Sequence, residues 1–170
     1  MAKKKKQVSV TQKRRLEMRA KLWKDAEDKI WSPTGGWLII PRAMPLILRI
    51  MDIASPNGKP VSQTYMDLWC RNREDDGFVI ASNPKEMAYY SGFTGERAES
   101  TWTTRMRILE DLGFVEFKEG TSGPIHYVLL HNPYEVIEAL HAKKEVPNAA
   151  YNALIEKIIE IGEKSLDEDE

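Results

Sequence analysis

A single cysteine, Cys70, among 170 residues excludes an internal disulfide framework and any zinc site built on several thiolates. Long apolar runs are missing as well. Arg42 and Arg49 interrupt the most hydrophobic stretch, which falls short of the roughly 18 residues that span a bilayer. No apolar segment follows the Lys-rich start, so it does not read as a secretory signal. Nor is there a charge surplus, since 25 Lys and Arg face 26 Asp and Glu, a net of −1. What is present suits a packed domain. Hydrophobic residues make up 42% and charged residues 30%, too apolar for a disordered chain. A chain of this length can bury about 70% of its unfolded surface. The expectation is a soluble, cytoplasmic, mainly helical α+β protein with no membrane segment.

The balance of charge conceals a segregation. Residues 1–24 carry ten basic groups, Lys3, Lys4, Lys5, Lys6, Lys13, Arg14, Arg15, Arg19, Lys21 and Lys24, against Glu17 alone. The remainder is correspondingly acidic and closes on Asp167-Glu168-Asp169-Glu170. A basic arm of this density suits a phosphate backbone, because each neutralised phosphate releases counterions. The plainer reading is a solvated tail. The acidic end is read as solvated, or as a competitor of nucleic acid for the arm.

Periodicity sketches the elements. Leu16, Ala20, Trp23, Ala26 and Ile30 fall at helical spacing and predict an amphipathic basic helix over Thr11–Trp31, broken by Ser32-Pro33-Thr34-Gly35-Gly36. Trp37–Ile40 reads as extended, Arg42–Ala54 as a buried helix and Ser55–Pro60 as a turn. Ser62–Arg71 follows as a helix with Tyr65, Met66, Leu68 and Trp69 inward, and then a turn at Glu74–Gly77 and a strand at Phe78–Ala81. Asn83-Pro84 opens a short helix, Pro84–Tyr90, with Glu86 near its positive end. Ser91-Gly92-Phe93-Thr94-Gly95 leads into a longer helix, Glu96–Leu112, stopped by Gly113. Two strands, Phe114–Phe117 and Ile125–Leu130, flank a Gly-rich turn at 120–124. Helices Pro133–Lys144 and Pro147–Leu166 close the chain.

The stretch EMAYYSGFTGERAESTWTTRMRILEDLGFVEF, with Leu109, Leu112, Gly113, Phe114 and Val115 ending its second helix, resembles the core of the winged helix-turn-helix family. The likeness covers about residues 61–132. GWLIIPRAMPLIL and the elements after it resemble, more loosely, N-terminal domains of phage and plasmid replication initiators. The resemblance implies double-stranded DNA binding, by a transcriptional regulator or a replication or maintenance factor of a mobile element. On a helical wheel Ala98, Trp102, Met106, Leu109 and Leu112 form one apolar stripe. Arg97, Ser100, Thr103, Thr104 and Arg107 lie opposite, with Ile108 near the edge. Hydroxyls bond phosphates or bases, and a guanidinium can bridge guanine O6 and N7. With Lys118 of the wing and Lys3, Lys4, Lys5, Lys6, Lys13, Arg14 and Arg15 of the arm, these are the expected DNA contacts.

Other residues pull against that reading. Glu96, Glu99 and Asp111 flank the helix, and the wing sets Lys118 against Glu116 and Glu119. Residues 33–124 hold ten basic and twelve acidic groups, whereas a module that grips DNA unaided is usually positive. Either the arm supplies the electrostatics or the winged helix is a scaffold for docking another protein. Chemistry finds less support. His126, His131, His141 and Cys70 match no metal-ligand spacing, and Glu74-Asp75-Asp76 reads as a solvated turn. No nucleophile elbow or phosphate-cradling loop occurs. Hence no catalytic residue, metal or cofactor is expected, and no enzyme. Trp37, Trp69 and Trp102 read as core.

Three regions follow: a basic arm and helix (1–32), the winged-helix domain (33–132), and C-terminal helices with an acidic tail (133–170). In the last helix Tyr151, Leu154, Ile158 and Ile161 step by three and four residues, widened by Ile155 and Ile159. This stripe either covers its own domain or forms a homodimer seam, and its position after a complete domain favours the dimer.

Overall fold

The computed structural model describes residues 10–24, 29–30, 38–72 and 77–162. It is α+β and mainly helical, with seven helices and one three-stranded antiparallel sheet among those residues. The chain divides into two units, residues 1–37 and 38–170. In the first, helix α1 spans Val10–Leu22, shorter than the expected Thr11–Trp31. Its Lys13, Arg14, Arg15 and Leu16 are exposed, as is Trp23 just beyond its end. A helix gains most of its stability from packing a face rather than from propensity, and the apolar positions of α1 bury little. Residues 1–9, 25–28, 31–37, 73–76 and 163–170 lie outside the described residues, and with them Lys3, Lys4, Lys5, Lys6, Trp37, the turn acids Glu74 to Asp76 and the acidic tail.

The second unit opens on α2, Met44–Ala54, with Pro45 in its first turn and Met44, Ile47, Ile50 and Met51 buried. Asp52 on its exit side serves the next helix. Its Oδ1 accepts from the backbone N–H groups of Val61 (2.7 Å) and Ser62 (2.9 Å), replacing the side-chain cap that α3, Ser62–Arg71, lacks locally. Strand β1, Phe78–Ile80, follows, and then α4, Pro84–Tyr90. Asn83 Oδ1 caps α4 by accepting from Glu86 N–H at 3.2 Å. Helix α5 is Ala98–Asp111. It ends where Gly113 turns to φ 90° and Phe114 N–H reaches back to Leu109 C=O at 2.9 Å.

Strands β2, Val115–Gly120, and β3, Gly123–Leu130, make the hairpin, and β1 returns on the far side of β3 to give the order β1–β3–β2. The hairpin is longer and tighter than its sequence suggested. Gly120, Gly123 and Pro124, expected in the turn, lie in the strands, leaving Thr121-Ser122 as the loop. Alternation turns Val79, His126 and Val128 inward, and Ile125 is buried beside them where the register of the hairpin shifts. Helices α6, Pro133–Ala142, and α7, Asn148–Ile161, complete the fold. Both stop earlier than expected. Lys144 adopts φ 64° after α6 and Gly162 φ 67° after α7, so a left-handed residue ends each helix.

One hydrophobic cluster joins α2 to α7 and the sheet. Trp102, Tyr65, Phe114, Ile47, Met106, Leu109, Ile137 and Leu154 are all fully buried in it. Tyr65 meets Phe114 edge-on at 6.1 Å, and burial pushes its phenol far above the ordinary value. Two expectations change here. Residues 133–162 are not a separate region, because Ile137, Leu140, Val146 and Leu154 belong to the shared core. The stripe on α7 is also spoken for. Leu154 is 1% exposed, and Tyr151, Ile158 and Ile161 pack against the core. Of the large apolar residues of that helix only Ile155 and Ile159 remain exposed, so the stripe does not lie open as a dimer seam.

The hairpin tip is tied to the exit of β1. Ser122 Oγ donates to Ala81 C=O at 2.7 Å and lies in hydrogen-bond contact with His126 Nδ1. Gly120 lies against the same ring, and a Cβ added there would meet His126 Cδ2 at 2.3 Å. Gly120→Ala is therefore expected to displace the imidazole, open the tie and cost about 1–3 kcal/mol, read as a lowered thermal midpoint. A wild-type midpoint would mean that the ring is free to move.

Candidate nucleic-acid interface

Helix α5 is held by α4, α3 and β2, and these contacts decide which arc faces out. The exposed residues within it are Glu99, Ser100, Thr104, Arg107 and Asp111, all polar. Arg97 is exposed at the N-cap, outside the helical turns, so its place on the wheel is an extrapolation. Thr103 is half-buried. Ile108, expected as the one apolar group near the edge of this face, is buried at 8% exposure and belongs to the core.

The hydroxyls are partly engaged. Ser100 Oγ donates to Arg97 C=O and Thr104 Oγ1 to Ser100 C=O, each at 2.9 Å. Such back-bonding spends the donor and leaves the oxygen as an acceptor. Ser100 and Thr104 are thereby left to accept a hydrogen bond rather than to donate one to a phosphate. The guanidinium groups carry the donors. Arg107 lies over the Phe117 ring at 5.6 Å from its centroid, which orients it beside β2. No salt bridge among the described residues engages Arg97 or Arg107.

Lys118, the expected phosphate contact of the wing, is tied to Glu116 at 2.7 Å. The pairing holds the Glu116 carboxyl below its ordinary range and the Lys118 ammonium above its own. A contact with DNA would first have to displace that carboxylate. One cation was missed. Arg105 projects from the apolar side of the wheel, half-buried over Phe93 at 5.5 Å from the ring centroid, with Nε buried and no hydrogen-bond partner. A charge placed within an apolar stripe was its only sequence signal. Lys85, Tyr89, Phe93 and Glu99 line a cavity of about 270 Å³ beside the α4–α5 turn.

The histidines are engaged singly: His126 with Ser122, His131 with Gly113 C=O at 2.8 Å, and His141 with Asn148 at 2.9 Å. Among the described residues no group of three or more His, Cys, Asp or Glu could hold a metal ion, and no helix is long and apolar enough to cross a membrane. A cavity of about 480 Å³ bounded by Trp69, Asn72, Leu130, His131 and Tyr134 includes no residue of α5. Comparison with protein-family models, curated proteins and solved structures finds no match.

Proposed function

We propose that the chain binds double-stranded DNA through a winged helix-turn-helix, with α5 entering the major groove. Support comes from element order. A helix, a strand, a helix pair and a hairpin, α3-β1-α4-α5-β2-β3, with the first strand paired beside the last, is the arrangement that presents a second helix to a groove. The observation that carries the reading is the outward face of α5, on which every exposed residue is polar. A helix that docks an apolar partner would leave large apolar groups there, and Ile108, the one candidate, is in the core. Arg97 and Arg107 are the base readers in this scheme, Ser100 and Thr104 acceptors toward base amino groups, and the basic arm the source of backbone affinity.

Electrophoretic mobility shift on random duplexes, followed by selection and a salt series, tests it. Arg107→Ala or Arg97→Ala should weaken binding to the selected site by about 1–3 kcal/mol and relax preference at one position. Wild-type affinity and preference in both variants would remove α5 from the interface.

A further inference from the structure

The outward face of the sheet is apolar. Strand alternation turns Phe78 and Ile80 of β1 and Tyr127 and Leu129 of β3 away from the core. They are 43%, 54%, 40% and 44% exposed. Register arranges the face in two rows: Phe78, Leu129 and Glu116 lie level with one another, as do Ile80, Tyr127 and Lys118. Each row runs from two apolar residues to one charge, negative in the first and positive in the second. Phe78 and Tyr127 stack across the rows at 6.0 Å and 17°, which flattens the surface. The apolar part is on the order of 400 Å², as large as the largest patch on a typical monomer and of the kind that marks an interaction site.

We propose that a second copy of the chain docks on this face, sheet against sheet. A two-fold axis lying between the sheets and across the strands lays each row over the other row of the second copy. Phe78 then covers Ile80, Leu129 covers Tyr127, and each Glu116 carboxylate faces a Lys118 ammonium, all twice by symmetry. A two-fold axis along the strands instead sets Phe78 over Glu116 and Ile80 over Lys118, apolar against charge. The register thus selects one self-complementary arrangement, within the aligned packing that two sheets adopt. Phe78, Ile80 and Leu129 bring no donor to a phosphate, Tyr127 brings a single hydroxyl, and Lys118 is already tied to Glu116, which disfavours nucleic acid as the occupant. With roughly 800 Å² buried in total, below the ~1,200 Å² of a standard interface, the dimer is weak and reversible. It is distinct from the α7 seam and independent of the DNA reading.

Sedimentation velocity on the full chain from about 1 to 200 µM tests it. Wild type should pass from monomer to dimer, and Leu129→Glu should stay monomeric with an unchanged circular dichroism spectrum. Glu116→Lys and Lys118→Glu each place like charges opposite one another and should weaken the dimer about tenfold or more, while the double exchange should recover it to within about threefold. Ile159→Glu, on α7, should dimerise as wild type does. A wild type that stays monomeric throughout overturns the proposal. So does a double exchange as weak as either single variant, or a dimer that Ile159→Glu abolishes and Leu129→Glu spares.

Discussion

Removing residues 1–24 should lower affinity for duplex DNA by at least about a hundredfold at low salt, on every sequence alike. The ten basic groups of that segment face a single acid, while residues 33–124 are acidic by two charges. If half of the ten sit on phosphates, the slope of log K against log salt falls by roughly 4–5, at about 0.9 per contact. Sequence preference should survive, because phosphate contacts position the protein and base contacts specify. An unchanged salt slope in the truncated chain would mean that the arm stays off the DNA, and the net charge of the rest would then argue against unaided binding.

The second large effect concerns α7. Leu154 is 1% exposed within the shared core, so Leu154→Ala should destabilise the second unit by about 2–5 kcal/mol through lost transfer energy and the cavity left behind. That is a large part of the roughly 5–15 kcal/mol of a typical domain. Leu154→Glu should fail to fold rather than yield a folded monomer. Ile159, 73% exposed on the same helix, supplies the control: Ile159→Ala should change stability by no more than about 0.5 kcal/mol. Urea melts of the three variants decide the matter. A Leu154→Ala protein as stable as wild type would return α7 to the role of an appended module.

Much of the element order was legible because its signals are local. Asn83-Pro84 with Glu86 three residues on marks the start of α4 by cap chemistry, and Gly113 marks the end of α5 by the left-handed turn it permits. Ser62–Arg71 and Pro84–Tyr90 fall where the pattern puts them. Boundaries failed where a local signal was outweighed by pattern. Gly162 ends α7, although the apolar and charged alternation around it reads onward to Leu166. In the hairpin, Gly120, Gly123 and Pro124 looked like turn residues, yet pairing of Gly120 with Gly123 draws them into the ladder.

The site was half legible. A wheel gives each α5 side chain an angle but not the width of the arc that packing covers. Because α5 is gripped by α3, α4 and β2, Ile108 is taken into the core and Thr103 is half-covered, while Arg107 stays out. Nor could a wheel show Ser100 and Thr104 bonding back to their own helix, or Glu116 holding Lys118.

By itself the sequence determined which segments are helix and strand and how charge divides between the arm and the rest, because caps, turns and charges act over a few residues. Only the tertiary structure decided which apolar groups are inside. The same three-and-four spacing on α7 suits a core or a seam, and the choice went to the core because α2 and α6 lie against that helix. Phe78 and Leu129 stand 51 positions apart in the chain and level in the sheet. Pairing over such a separation is set by strand register, which no local pattern encodes.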